Sequence, residues 1–226
     1  MNILVIAAHP DDEVLGCGGT IARLAEEGNN LYIGILGEGI TSRYSQRDQA
    51  NQQDVQQLHS QSYSVAKLLG ACDLLLADLP DNRFDTIPLL HIVKIIEKWI
   101  DQLQPQIIYT QHGGDLNIDH TLVYRATLTA TRPMAGMPVK TIYGYEVASS
   151  TEWAFQQFSP IFRPNVFVDI STTLQIKIQA MQHYESEARL FPHPRAPEAL
   201  QANARRWGSV VGVEAAEAFE LLREIR

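Results

Sequence analysis

An apolar run at the start of the chain ends abruptly in an imidazole and three carboxylates. The segment Asn2–Ala8, NILVIAA, is apolar almost throughout, as expected for a strand covered on both faces of a sheet. It continues directly into HPDDE, from His9 to Glu13. A buried strand that ends in this polar group restricts both the fold and the chemistry at that end of the strand.

The following segments alternate between helices and strands. Val14–Glu27 has helical spacing and stops at Gly28, and Leu31–Leu36 is a second apolar strand, so the chain begins with a parallel β-α-β unit. Further strands are predicted at Cys72–Leu79, Gln106–Thr110, Ile142–Val147 and Val166–Asp169. Further helices are predicted at Asp48–Leu69, Ile87–Leu103, His120–Thr131, Thr172–Arg189 and Pro197–Arg226, the last interrupted near Gly208 and Gly212.

This pattern predicts a single α/β domain over residues 1–226, with an open, mainly parallel sheet of about five to seven strands. In such folds ligands bind outside the carboxyl ends of the strands. Three polar loops, Gly37–Arg47, Pro80–Asp85 and Gln111–Asp119, each follow a predicted strand. We therefore expect the three loops to share one rim.

Composition argues against several classes of protein. The net charge of −8 without a basic stripe disfavours a nucleic-acid partner. The first apolar run breaks at His9 and no later stretch reaches about 18 apolar residues, so we expect no signal peptide and no membrane insertion. Cys17 and Cys72 lack a paired spacing, which favours reduced thiols in a cytoplasmic protein.

The HPDDE stretch has a structural and a functional interpretation. Pro10 at the first helical position and carboxylates in the first turn suit a helix start, but they leave His9 unexplained. If a helical turn begins here, His9 and Asp12 lie on one face, with Asp11 close by. An imidazole and a carboxylate with a second carboxylate beside them are the beginning of a metal site with an adjacent base.

A third ligand must come from elsewhere, and His120 is the best candidate. It follows another strand and loop at a predicted helix start, in the same relation to the sheet as His9. A lone histidine there is more often a surface or capping residue, so the two segments must be taken together. A His/Asp/His set leaves an open position for water and suits Zn²⁺, and Fe²⁺, Co²⁺, Ni²⁺ or Mn²⁺ also fit these donors.

These motifs resemble the LmbE-like/PIG-L family of metal-dependent de-N-acetylases. The resemblance rests on AHPDDE, Ala8 to Glu13, with Asp119-His120 downstream, and extends more weakly through Tyr184–Arg195. It implies a Rossmann-like α/β fold with helices on both faces of the sheet. It also implies hydrolysis of the acetamide in N-acetylglucosamine-type groups, including sugar conjugates and lipid-linked sugars.

The resemblance also implies roles for individual residues. His9, Asp12 and His120 correspond to the metal ligands, and Asp11 corresponds to the general base that takes a proton from the metal-bound water. A metal lowers the pKa of its water toward about 7, so a neighbouring carboxylate can complete the activation.

Asn117 departs from the family pattern, because many relatives have a histidine at this position. An amide can donate a hydrogen bond to an oxyanion but cannot deliver a proton at neutral pH. Either Asn117 keeps only the oxyanion role, or Asp11 moves the proton in both steps. His112 or His193 is an alternative acid.

Other polar residues are candidates for the site, each with a structural alternative. Asp119 is either an N-cap or an acceptor that orients a ring nitrogen of the site. Arg43 lies in a Gly-containing loop, and its guanidinium suits sugar hydroxyls, phosphate or carboxylate. The remaining candidates for substrate binding are Asp81, Asn82, His112, Asp115, His193 and Arg195.

The first hypothesis is a cytoplasmic, zinc-dependent hydrolase that removes the N-acetyl group from a small N-acetylated amino sugar or its conjugate. An amidase for larger acyl groups stays open, as does a metal-stabilised sugar- or nucleotide-binding protein with weak catalysis, which Asn117 favours and Asp11 opposes. A plain NAD-binding domain is poorly supported, because carboxylates at the first strand–helix turn repel a pyrophosphate. The sequence is compatible with a homo-oligomer.

Overall fold

The computed structural model describes residues 1–226 as alternating strands and helices. The strands are β1 (Asn2–Ala7), β2 (Asn30–Gly37), β3 (Asp73–Leu79), β4 (Ile107–Gln111), β5 (Thr141–Tyr145), β6 (Val166–Asp169) and β7 (Ala216–Glu224). The helices are α1 (Asp12–Glu26), α2 (Gln52–Leu68), α3 (Leu89–Leu103), α4 (Ile118–Ala130), α5 (Leu174–His183) and α6 (Pro197–Val211). None of these helices combines the length and the apolar character that crossing a bilayer requires.

The strands form one seven-stranded sheet in the order β3-β2-β1-β4-β5-β7-β6. β1 to β5 pair in parallel, whereas β7 runs antiparallel to both β5 and β6. The chain adds β2 and β3 on one side of β1 and then returns to place β4 on the other side. Ligands in open α/β sheets bind at such a reversal, so the carboxyl ends of β1 and β4 mark the expected site.

The apolar run of β1 is buried on both faces of the sheet. Ile3, Val5 and Ala7 pack in a core cluster with residues of α1, α2 and α5, whereas Leu4 and Ile6 pack with residues of α3 and α4. This follows from the period-two alternation of side chains along a strand. The predicted α/β fold, mainly parallel with helices on both faces, is confirmed.

The C-terminal segment corrects the predicted helix over Pro197–Arg226. α6 ends at Val211, and Gly212 follows in the left-handed region with φ of 78°, which terminates the helix. Residues Ala216–Glu224 form a strand, whose first four residues are buried. The sequence AEAFELLRE has no decisive helical or strand periodicity, so pairing with β5 and β6 determines its conformation.

The predicted helix over Thr172–Arg189 is shorter than expected. α5 ends at His183, and the next residue, Tyr184, turns its fully buried side chain inward. The Tyr184 hydroxyl donates to Glu13 Oε1 at 2.6 Å. The chain beyond Tyr184 is thereby directed along the start of α1. The other predicted elements agree in type and differ only at their ends.

A buried ion pair joins α1, α5 and β7. Lys177 Nζ donates to Glu217 Oε1 at 2.6 Å and to the Leu15 carbonyl at 2.8 Å. The Glu217 carboxylate also accepts from the backbone N–H groups of Gly19 and Thr20. Both charged side chains are therefore paired and hydrogen-bonded, as burial of a charge requires. The pair holds α1, which begins at the HPDDE stretch, against the antiparallel strand β7.

Removing the cation of this pair leaves the Glu217 carboxylate buried without its counter-charge. We expect Lys177→Met to lower the free energy of unfolding by about 3 kcal/mol. The matched control is Lys98→Met on α3, an exposed helical lysine without an ion pair, for which the change stays within about 0.5 kcal/mol. Urea denaturation measures both variants, and equal losses would contradict a stabilising role for the buried pair.

Candidate metal centre

Two strand–helix junctions bring three donor side chains together. His9 follows β1, Asp12 begins α1, and His120 lies in the first turn of α4. Asp12 Oδ2 lies 3.5 Å from His9 Nδ1 and 3.3 Å from His120 Nε2. Tetrahedral zinc with bonds of about 2.0–2.2 Å separates its ligand atoms by about 3.4 Å. The observed separations therefore fit a single ion.

The hydrogen bonding of His120 supports the same conclusion. Its side chain is buried, and neither ring nitrogen makes a well-aligned hydrogen bond, although carboxylate oxygens of Asp12 and Asp115 lie 3.3 and 3.2 Å away. Burial lowers the pKa of the His120 imidazole, but the Asp12 and Asp115 carboxylates outweigh burial and raise that pKa to about 9. Burial likewise raises the pKa of Asp12, but His120 and His9 hold it well below its usual value. The pocket thus favours positive charge between these groups, which a divalent cation would supply.

In each histidine, the ring nitrogen that faces away from Asp12 lies close to a further carboxylate. His9 Nε2 lies 3.0 Å from Asp119 Oδ2, and His120 Nδ1 lies 3.2 Å from Asp115 Oδ1. The Asp115 carboxylate accepts in turn from the hydroxyl of Thr151 at 2.6 Å. Ligand histidines commonly use the second nitrogen in this way, which fixes the ring orientation and makes the ligating nitrogen more basic.

The start of α4 settles the two interpretations of Asp119. The N-cap is Asn117, whose Oδ1 accepts from the backbone N–H of Asp119 at 2.9 Å. The helix therefore begins at Ile118, two residues before the predicted start at His120. Asp119 lies inside the first turn, so it does not cap the helix, and its side chain is free to orient His9.

Asp11 has a strained backbone beside the three donors. Its φ is 104°, a value that non-glycine residues rarely adopt, and its N–H donates to Glu13 Oε2 at 3.1 Å. Arg195 Nη1 donates to Asp11 Oδ2 at 2.6 Å. Burial raises the pKa of the Asp11 carboxyl well above its usual value, although Arg195 acts in the opposite direction. The conformation and the ion pair together hold one carboxylate oxygen and leave the other available.

An ion-pair chain continues from Arg195. Arg195 Nη1 lies 3.1 Å from Glu187 Oε2, and Arg43 Nη2 donates to Glu187 Oε1 at 2.5 Å. The sequence did not single out Glu187, and its place within the weakly resembling segment Tyr184–Arg195 was the sole signal. Residues distant in sequence thus connect the predicted base to the loop after β2.

These residues surround a small, polar cavity of about 150 Å³. Only two of its 17 lining residues are hydrophobic. The predicted site residues that line it are His9, Asp11, Asp12, Arg43, Asp81, Asn82, Asn117, His120 and Arg195. The polar lining residues that the sequence did not single out are Ser42, Ser149, Ser150 and Glu187.

Four predicted residues lie outside the lining. Asp115 and Asp119 lie next to the rings of His120 and His9, outside the cavity. The side chains of His112 and His193 do not reach the cavity. Since successive side chains alternate along β4, Gln111 points to Asp12, at 3.1 Å from its Oδ2, and His112 points away.

His112 and His193 have other contacts. The ring nitrogens of His112 form hydrogen bonds with Glu220 Oε2 and the Pro160 carbonyl, each at 2.8 Å. These contacts place His112 outside the pocket in which it was expected. His193 accepts from the backbone N–H of Arg195 at 3.2 Å and packs edge-on against Trp153. Its contribution is to the loop that carries Arg195.

A second donor group shares His9. Donor atoms of His9, Asp81 and Asp119 also lie within 4.8 Å of one another. In this second group His9 Nε2 lies 3.3 Å from Asp81 Oδ1 and 3.0 Å from Asp119 Oδ2, so the group offers one imidazole and two carboxylates, whereas the first group offers two imidazoles, which zinc binds readily. The group that contains His120 is therefore the better metal site.

Substitutions in the two donor groups should change zinc affinity to different extents. We expect His120→Ala to weaken zinc binding about 100-fold or more, whereas Asp81→Ala changes it by less than about tenfold. Competition with a chromophoric chelator measures both dissociation constants. The reverse ranking would assign the ion to the second group.

Comparisons with known proteins identify relatives of this chain. The family described as "PIG-L: GlcNAc-PI de-N-acetylase" matches residues 4–131. The "Uncharacterized deacetylase YaiS" of Escherichia coli (strain K12) is 30% identical over 82% of this chain and 91% of that protein. The 1D-myo-inositol 2-acetamido-2-deoxy-alpha-D-glucopyranoside deacetylase of Mycobacterium sp. (strain JLS) is 26% identical over 85% of this chain and 76% of that protein.

The fold has a close counterpart among solved structures. The N,N'-diacetylchitobiose deacetylase from Pyrococcus horikoshii superimposes with a TM-score of 0.78 at 18% identity, covering 98% of this chain and 84% of that one. The sequence matches extend across both strand–helix junctions of the metal centre. The chain therefore belongs to the PIG-L family of de-N-acetylases.

Proposed function

We propose that this chain removes the N-acetyl group from an N-acetylated amino sugar or its conjugate, with a divalent metal, Zn²⁺ first, held by His9, Asp12 and His120. The chain is a hydrolytic N-deacetylase by its family and its named relatives. The proposal concerns the substrate class, the metal and the roles of the residues. The observation that carries it is the position of Asp11, which lines the same polar cavity as the three donors.

Asp11 is the proton carrier of the reaction. When bound, a divalent metal supplies Lewis acidity, which lowers the pKa of a water and polarises the amide carbonyl. Asp11 accepts the proton of the attacking water on the oxygen that Arg195 does not hold, and it returns this proton to the departing amine. His112 and His193 lie outside the cavity, so Asp11 is better placed than either for the second transfer.

Asn117 supplies a hydrogen-bond donor in place of an acid. Its Nδ2 donates one hydrogen to Asn82 Oδ1 at 2.9 Å, which leaves the second hydrogen for the oxyanion that forms at the amide carbon. Asn82 and Asp81 border the same part of the cavity and suit sugar hydroxyls. Preorganised donors of this kind stabilise the charge that develops in the transition state.

The cavity favours this reaction over the two alternatives. A long apolar acyl group finds few apolar partners in a lining that has only two hydrophobic residues. A binding-only protein has no need for a strained carboxylate held beside the metal ligands. The cytoplasmic location and a homo-oligomeric state stay predictions from the sequence.

Acetate release tests the function directly. N-acetylglucosamine derivatives are incubated with the zinc-loaded protein, with and without a chelator. We expect Asp11→Asn to lower kcat about 10²–10⁴-fold, because it removes general base catalysis and keeps the side-chain volume. The matched control Asp101→Asn, an exposed carboxylate on α3, retains full activity. Parental activity in Asp11→Asn would remove Asp11 from the chemistry, and the absence of chelator-sensitive acetate release would reject the proposed function.

A further inference from the structure

The Asp11 side chain does not cap the helix that it precedes. Asp11 is the N-cap of α1, where an aspartate normally has an extended backbone and accepts from an N–H group of the first turn. Here φ is 104° and ψ is −27°, and the side chain makes no capping hydrogen bond. Its Oδ2 instead accepts from Arg195 beside the cavity. The place of the proposed base thus depends on a backbone conformation that residues with a Cβ rarely adopt.

The Glu13 side chain holds this backbone conformation. Its Oε2 accepts from the Asp11 N–H at 3.1 Å, and both residues are buried. A buried N–H without a partner is costly, so loss of the Glu13 carboxylate would make the present conformation of Asp11 unfavourable. The alternative is the ordinary extended N-cap, in which the Asp11 side chain turns toward the helix and leaves the cavity.

Tyr184 fixes the Glu13 carboxylate from its other oxygen. The Tyr184 hydroxyl donates to Glu13 Oε1 at 2.6 Å, and the Tyr184 side chain is fully buried just beyond the end of α5. The Glu13 carboxylate is therefore held at both oxygens. One hydrogen bond connects it to the backbone of the proposed base, and the other connects it to the end of a distant helix.

The segment that begins at Tyr184 returns to the side chain of Asp11. The Tyr184 carbonyl accepts from the Glu187 N–H at 2.9 Å, and the Glu187 carboxylate lies 3.1 Å from Arg195 Nη1. The same Arg195 nitrogen donates to Asp11 Oδ2 at 2.6 Å. A single segment thereby fixes Asp11 twice, through Glu13 at the backbone and through Arg195 at the side chain.

We propose that Glu13 and Tyr184 are positioning residues that keep the Asp11 carboxylate directed into the cavity. The inference rests on the proposed deacetylase function, in which Asp11 carries the proton, and adds two residues that act through it. Neither side chain lines the cavity, so neither contacts the substrate. Their loss should therefore lower kcat and leave both KM and zinc affinity unchanged.

Substitutions of Glu13 separate its hydrogen bonds from its volume. Glu13→Leu cannot accept a hydrogen bond, and we expect kcat to fall about 10–100-fold while KM and the zinc dissociation constant stay within about twofold. Glu13→Gln can accept from the Asp11 N–H and donate to the Tyr184 oxygen, so kcat stays within about threefold of the parent. The matched control Glu26→Leu, at an exposed position of α1, keeps the parental kcat. Equal losses in Glu13→Leu and Glu13→Gln would contradict the proposal.

A double-mutant cycle tests whether Glu13 acts through Asp11. Asp11→Asn already lacks the base, so adding Glu13→Leu should lower kcat by less than about twofold more. A structural role unrelated to the base would lower kcat by the same factor in both backgrounds, and that additive result would overturn the proposal. The urea midpoint of each variant monitors its folding.

Tyr184→Phe tests the second hydrogen bond with the loss of a single oxygen atom. We expect kcat to fall about 3–10-fold at unchanged KM, because the Glu13 carboxylate is then held at one oxygen only. The matched control Tyr63→Phe, an exposed tyrosine on α2, keeps the parental kcat. Parental kcat in Tyr184→Phe would refute the positioning pair. This variant replaces Glu13→Leu in the cycle and in the structural test if Glu13→Leu does not fold.

Crystal structures of the variants give a readout that does not depend on turnover. Asp11 should keep its left-handed backbone in Glu13→Gln and should return to an extended conformation in Glu13→Leu. A left-handed Asp11 in Glu13→Leu would overturn the proposal and leave the deacetylase function intact. If the parent releases no acetate from any substrate, the proposed function fails, and these structures alone decide whether Glu13 and Tyr184 hold Asp11.

Discussion

The buried carboxylate of Asp12, placed between two imidazole rings, is the interaction on which the site depends. A carboxylate that is only 2% exposed is costly unless positive charge compensates it. His9 and His120 come from separate junctions, and both face the same oxygen, Oδ2. The compensation comes either from protons on the rings or from a divalent ion among all three. A divalent ion would satisfy the Asp12 carboxylate and Nε2 of His120 at once, while Nδ1 faces Asp115, which supports the proposed metal site.

The fold supplies this arrangement through the reversal of strand order beside β1. β1 and β4 are neighbours although about 100 residues separate them, so the residues after each strand meet at one edge. Asp119 and Asp115 orient the two histidines from within the α4 junction. The chain after α5 then completes the opposite wall with Glu187 and Arg195. The three proposed metal ligands thus come from the first 120 residues, whereas the environment of the proposed base, Asp11, depends on the second half of the chain.

The sequence was most informative where local chemistry determines the structure. The apolar run of β1 predicted a strand buried on both faces, and the spacing of His9 and Asp12 predicted their convergence. His120 required an analogy between two junctions, which the parallel sheet supports. The prediction that His112 lies in the pocket was wrong because the sequence does not show at which residue β4 ends. The direction in which each side chain points was therefore also unknown.

Other features depend on contacts between distant segments. The C-terminal strand β7 has an ambiguous pattern, and only its partners β5 and β6 determine that it is extended. Glu187 looks like an ordinary surface residue until the fold places it between Arg43 and Arg195. The left-handed backbone of Asp11 is likewise invisible in a sequence whose preceding proline and carboxylates suit an ordinary helix start. Non-local pairing and strain of this kind leave no periodic signal.

Anomalous diffraction at the zinc absorption edge, from crystals of the unmodified chain grown with zinc, tests the central claim most directly. The account predicts one strong peak at about 2.0–2.2 Å from donor atoms of His9, Asp12 and His120. A peak held instead by Asp81 and Asp119, or two imidazole rings turned away from each other with no ion between them, would contradict it.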